Sequence, residues 1–161
     1  MSEILRIATL ADAFCRQHGT RNPFDLAQAD GVILRFCPEF QTLRGMYKVI
    51  LGQRFIFLNG NMKRREARQV LAHELGHDAL HREMARDTVV QDHFLLDMTL
   101  KPEYEANLFA AQLLYGDEAV LSLLREGKSA SECAALLGAP MPLFELKMKI
   151  LQEKGLLQNL F

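Results

Sequence analysis

Cysteine is scarce in this chain. Three of 161 residues are cysteines, Cys15, Cys37 and Cys133, odd in number and far apart. That pattern excludes a disulfide framework and a Cys-x-x-Cys metal knuckle, and it implies free thiols in a reducing compartment. Long apolar runs are missing as well. No stretch approaches the roughly 20 residues that span a bilayer. The start, Met1-Ser2-Glu3, leads into a mixed helix rather than the apolar segment of an export signal. The expected location is therefore the cytoplasm, with no membrane partner. Neither sign of charge dominates: 19 basic residues face 20 acidic ones. This argues against nucleic acid as a partner, since nucleic-acid binding usually needs a basic surface. Internal repeats and low-complexity segments are also absent. What is left, 49% apolar and 24% charged residues, suits one globular domain with a real core.

The hydrophobic period divides the chain into elements. Residues 3 to 18 place Ile4, Ile7, Ala8, Ala11 and Phe14 at helical spacing, ended near Gly19. A short second helix follows, with Asn22 as N-cap and Pro23 in its first position. VILRF (32–36) reads as a strand. GMYKVIL and QRFIFLN, separated by Gly52, read as a hairpin. From Lys63 the period changes, and REARQVLAHELGHDALHREMA forms one long helix. Residues 85–101 lack clean periodicity and read as a loop with short elements. Pro102 opens another helix that ends at Gly116, and three more follow, near 117–124, 129–137 and 142–155. The expected fold is α+β: a small three-stranded sheet, antiparallel or mixed, packed on the long helix, plus C-terminal helices. Residues 1–116 form the core and 117–161 a helical extension packed on it.

The long helix contains AHELGHDALH, residues 72–81. Residues four apart share a helix face, so His73 and His77 can reach one ion. Zinc accepts neutral imidazole nitrogen and prefers four ligands. Glu74 lies beside the first histidine, where it can take a proton from a zinc-activated water and pass it to a leaving amine. The competing reading is a solvent-facing polar turn. Gly76 lowers helix propensity in mid-helix, and the reason expected for it is close approach of a sheet edge or substrate.

A third ligand is required. The helix after Pro102 offers Glu103, with Asn107 four residues on and on the same face. Glu105 lies about 200° round the helix and points elsewhere. Ala106, Ala110 and Leu114 extend the Glu103 face as a small apolar stripe. A carboxylate on such a face is buried and must be paired or bind a metal. Glu103 as ligand, with Asn107 holding a ligand histidine, fits that logic; a first-turn carboxylate favoured by the helix dipole is the alternative.

HELGHDALH (73–81) and EYEANLFAAQLL (103–114), in this order and spacing, make the chain resemble the ImmA/IrrE metallopeptidases, relatives of the glutamate-liganded zinc proteases. The resemblance covers about residues 20 to 115. It implies a zincin-like core with zinc held by His73, His77 and Glu103, and Glu74 as the catalytic base. It further implies cleavage of a protein substrate, in phages and mobile elements a helix-turn-helix repressor. One departure is Tyr115-Gly116-Asp117, where such proteins often carry a proline.

Other residues carry less. His81, about 12 Å from His73 along the axis, is a poor third ligand and reads as a hydrogen-bonding residue of the fold. Asp78 reads as an exposed helix residue or an acceptor behind the site, and His18 and His93 as structural or surface residues. Tyr47 and Tyr104 are available hydroxyls for an oxyanion without a specific reason for either. Residues 118–155 have a helix-turn-helix look, with Lys147, Lys149 and Lys154 adding positive charge; completing the core is the stronger reading. Two rivals to a peptidase remain: a docking antirepressor that retains the zinc site, and a DNA-binding regulator.

Overall fold

A computed structural model describes residues 1–87, 90–92 and 97–160. Helix α1 runs Glu3–His18. Its ends follow from local chemistry: the Ser2 hydroxyl accepts from the Leu5 N–H at 3.2 Å, and Gly19 closes the helix in the left-handed conformation. Helix α2, Pro23–Ala29, begins where the Asn22 side chain accepts from the Phe24 N–H at 2.9 Å.

Strands β1 (Ile33–Cys37), β2 (Gly45–Ile50) and β3 (Gln53–Asn59) follow. β2 and β3 form the expected hairpin. Ile50 faces Gln53, leaving Leu51-Gly52 as a two-residue loop with φ of 51° and 75°, the positive values of a type I′ turn. Of the two sheet types expected the mixed one is present, and the sheet has one strand more than expected. β1 pairs with β3 in parallel, so the sheet is mixed. A fourth strand, preceded by helix α4 (Arg82–Asp87), arises within the segment read as irregular: β4, Val90–Asp92, pairs antiparallel with β2. The strand order is β1-β3-β2-β4. Tyr47, Val49, Ile56 and Leu58 point to the buried face.

That face lies on helix α3, Arg64–Leu80. Every residue from Gln69 to Asp78 is buried. The cause is a layer on either side, the sheet on one and helix α5 (Lys101–Leu114) on the other. Gly76 belongs to the second contact. A Cβ there would sit 2.9 Å from the Ala106 carbonyl oxygen and 3.0 Å from its Cα, so the missing side chain admits α5, not a sheet edge. The periodic stretch read as a single helix to residue 85 is two helices: α3 ends at Leu80, His81 caps it, and α4 follows.

α1, α3 and the last helix, α8 (Met141–Glu153), pack round α5. The C-terminal helices are α6 (Asp117–Arg125), α7 (Ala130–Leu137) and α8 (Met141–Glu153). Leu143, Phe144, Leu146, Ile150 and Leu151 of α8 join one hydrophobic cluster with residues of α1 and α5, so the second helix of the helix-turn-helix pattern turns its apolar face inward. Lys147 is fully buried and donates to Gln112 and Asp117. Lys154 donates to Asp12 and Asp117. Two of the three lysines read as added positive charge are thus engaged inside the fold. Among the described residues no helix is long and apolar enough to cross a membrane.

Candidate metal centre

α3 and α5 run antiparallel, which brings the first turn of α5 to the middle of α3. His73, Glu74 and His77 have no exposed surface at all, which rules out a solvent-facing polar turn. His73 Nε2 lies 2.9 Å from Glu103 Oε2 and 3.1 Å from His77 Nε2. His77 Nε2 lies 3.3 Å from Glu103 Oε1. A tetrahedron around zinc, with bonds of about 2.0–2.1 Å, has edges of about 3.3 Å. The donor triangle is therefore close to the size zinc requires.

The proton positions point the same way. His73 Nδ1 is 2.8 Å from Asn107 Oδ1. An amide oxygen only accepts, so Nδ1 carries the proton and Nε2 presents a lone pair. Asn107 Nδ2 in turn reaches Met98 Sδ at 3.4 Å, which fixes the amide. His77 Nδ1 lies 2.9 Å from His81 Nδ1, and His81 Nε2 faces Glu105 Oε1 at 3.8 Å. Burial, and then the neighbouring His77, bring the His81 imidazole down to about 4, so it is neutral. It accepts the His77 Nδ1 proton, and its own Nε2, 3.8 Å from Glu105 Oε1, makes no hydrogen bond to the described residues. Both ligand candidates then turn Nε2 lone pairs towards the Glu103 carboxylate. Three acceptors converge, and a cation is what such a cluster fits. His73, His77 and Glu103 form a group able to hold a metal ion.

Glu74 stands beside this triangle, on the side of the sheet. A Cβ on Gly45 would sit 2.7 Å from Glu74 Oε1 and 2.8 Å from Val70 Cγ1. The glycine at the head of β2 thus leaves room for the carboxylate. β4 pairs with β2 at this same end, Gly45 facing Asp92.

Some residues stand elsewhere than the sequence reading put them. Asp78 is buried rather than exposed, and of its two readings the acceptor is the one that stands. The Tyr47 hydroxyl donates to its Oδ1, and Arg54 Nη1 donates to its Oδ2 at 2.7 Å. Arg54 also reaches Asp30 at 2.9 Å, which His18 contacts at 3.1 Å. This chain ties α3 to the sheet and to the end of α2. It occupies the Tyr47 hydroxyl, which is therefore not on offer to a substrate. Tyr104 is half-buried beside Lys149. Glu105 is away from the triangle, as expected, yet buried under His81 and Arg6. The only sign of the His77–His81–Glu105 series in the sequence is that His81 repeats the four-residue spacing. His93 lies outside the described residues.

A buried His-Glu-x-x-His helix facing a glutamate from a second helix, on a small mixed sheet, is the arrangement of a zinc-dependent peptidase. Residues 19–149 match the IrrE N-terminal-like domain, a peptidase family, and the chain belongs to this ImmA/IrrE-like family. It is also 30% identical over 132 residues, 82% of each chain, to the "uncharacterized immunity region protein 2" of Bacillus phage phi105.

Proposed function

We propose that the protein is a zinc endopeptidase that cuts a regulatory protein, a helix-turn-helix repressor. The observation that carries this reading is the triangle of converging acceptors with a buried carboxylate beside it. His73, His77 and Glu103 would hold the ion. Asn107 holds His73 in the tautomer that presents Nε2, and His81 does the same for His77. A zinc ion supplies Lewis acidity, lowering the pKa of a water and polarising a carbonyl. Glu74 takes the water's proton on a carboxylate oxygen and delivers it to the leaving amine nitrogen. Its burial under Gly45 of β2 keeps competing water away. β4 is the sheet edge nearest this carboxylate, and an extended peptide can add there as a further strand. The regulatory target is supported by the family and by the immunity-region name of the phage relative.

The first test is zinc per chain in the wild type and in Glu103→Ala, followed by incubation with the repressor encoded beside the gene. About one zinc in the wild type, much less in the variant, and a single cut in the repressor are expected. Absence of zinc after reconstitution under reducing conditions would refute the peptidase reading. Relief of repression that survives Glu74→Gln would mean docking instead of cleavage.

A further inference from the structure

At the other end of the α3–α5 pair from the histidines, α3, α5 and α7 line an open cavity of about 430 Å³. Arg64, Arg65 and Arg68 of α3 line one side, and Leu114, Tyr115 and Leu137 line another. Gln69 donates to the Gly138 carbonyl at 3.2 Å, which fastens the end of α7 over the cavity.

The charge here is unbalanced. No carboxylate lines the cavity. Among the described residues none of the three arginines is in an ion pair; Arg64 lies over the Phe24 ring, 4.8 Å from its centroid. The acid of the same turn, Glu66, pairs with Arg44 on another face. The arginines also crowd the wrong end of a helix. α3 starts at Lys63 with no side-chain cap, so Lys63, Arg64 and Arg65 stand where the helix dipole favours anions. Tyr115 gives a second, independent sign. It is 6% exposed, it lines the cavity, and its hydroxyl, which makes no hydrogen bond to the described residues, is open to solvent there. Burial raises that hydroxyl to about 12, against the opposing pull of Arg68 and Arg65, so it remains a donor beside two guanidinium groups.

We propose that this cavity binds a phosphate-bearing small molecule of nucleotide size, its phosphate held by Arg65, Arg68 and the Tyr115 hydroxyl and its organic part against Leu114 and Leu137. The volume lies within the range of about 300–1,000 Å³ for small-molecule sites. A phosphate monoester carries a charge of about −1.5 to −2 and three acceptor oxygens, which suits several guanidinium groups better than a single carboxylate does. A nucleic-acid backbone fits poorly, because the cationic groups are confined to one pocket on a chain of net charge −1.

The test is calorimetric titration of the full chain, as purified, with adenosine monophosphate, inorganic phosphate and adenosine at fixed ionic strength. Saturable binding is expected for the monophosphate, weaker binding for phosphate and weakest for adenosine. Arg68→Met should weaken the monophosphate by at least about tenfold, and Tyr115→Phe, which removes one oxygen, by several-fold. Unfolding midpoints measured alongside show that both variants are folded. The proposal fails if neither phosphate compound binds saturably at millimolar concentration. It also fails if binding ignores both substitutions, or if duplex DNA competes at equal phosphate.

Discussion

Helix α5 carries a buried polar cluster near each end, and only one of them is closed. Near its C-terminus Gln112 sits among Lys147, Lys154, Asp12, Asp117 and Arg21. Lys147 Nζ donates to Gln112 Oε1 at 2.6 Å and to Asp117 Oδ1 at 2.5 Å. Lys154 Nζ donates to Asp12 at 2.9 Å and Asp117 at 2.7 Å. Gln112 Nε2 donates to Asp12 and Asp117, and Arg21 reaches Asp12 and the Gln112 carbonyl. Donors meet acceptors throughout. Near the N-terminus Glu103 meets His73 and His77 through acceptor atoms on all three. Each cluster has a fully buried centre, Gln112 and Lys147 in one and the two histidines in the other, so burial alone does not separate them. The donor–acceptor balance does: a closed network joins helices, whereas an unbalanced one asks for a ligand.

The largest effect that would test the contrast is catalytic. Glu74→Gln removes a proton carrier without touching the triangle. Turnover on the repressor should fall by roughly 10²–10⁴-fold, with zinc content unchanged by elemental analysis. A loss of zinc in that variant would place Glu74 inside the metal cluster rather than beside it. The closed cluster should respond in stability instead. Burial outweighs the bonds from Asp117 and brings Lys147 down to about 8, which leaves it mostly charged at neutral pH. Lys147→Met takes one of two ammonium groups from Asp117 and leaves Gln112 Oε1 without its donor, and urea unfolding should show a loss of about 1–3 kcal/mol. A double-mutant cycle with Asp117→Asn should return a coupling of about 0.5–3 kcal/mol, which an unrelated packing defect would not give.

Asp117 gives the closed cluster a pH signature. Burial by itself would raise its carboxyl, but the hydrogen bonds from Lys147 and Lys154 prevail and hold it well below the usual range. A depressed folded-state value contributes stability that is complete above the unfolded value of about 4 and is lost as pH falls towards the folded one. Urea unfolding should therefore weaken steadily below about pH 5, and Asp117→Asn should flatten that acid limb. A limb of unchanged slope would assign it to other carboxylates.

Asn107 tests the open cluster at a finer level. Asn107→Ala leaves all three ligand candidates in place and frees the His73 tautomer, so zinc affinity by competition with a chelator should drop about 10–100-fold. This residue also marks how far the sequence can be read. The i, i+4 spacings His73/His77 and Glu103/Asn107 name both halves of the cluster, because helix geometry is local. Caps at Asn22 and Gly19 are legible for the same reason. What joins distant segments is not. Nothing local tells β1 to pair with β3, or gives the three residues of β4 a period. Gly76 reads as a gap, but only α5 identifies what fills it. Asp78 and Lys147 look like surface charges until Tyr47, Arg54 and Asp117 arrive from elsewhere in the chain to satisfy them.

The smallest expected effect is an absence of coupling, and it bears most directly on the contrast. Zinc that binds only the folded chain should stabilise it by about 2.7 kcal/mol at a hundred times its dissociation constant. Asn107 and Gln112 are about 7.5 Å apart along α5, and among the described residues the two clusters share no hydrogen-bonding side chain. Sites so related usually add within about 0.5 kcal/mol. The increment from zinc should then be the same, within that margin, in the wild type and in Lys147→Met. Both clusters nevertheless grip one helix. If loosening the closed end shrank the zinc increment by more than the margin, α5 would be held in register for Glu103 by its far end, and the closed network would be part of the metal site's support rather than a joint that merely lies nearby.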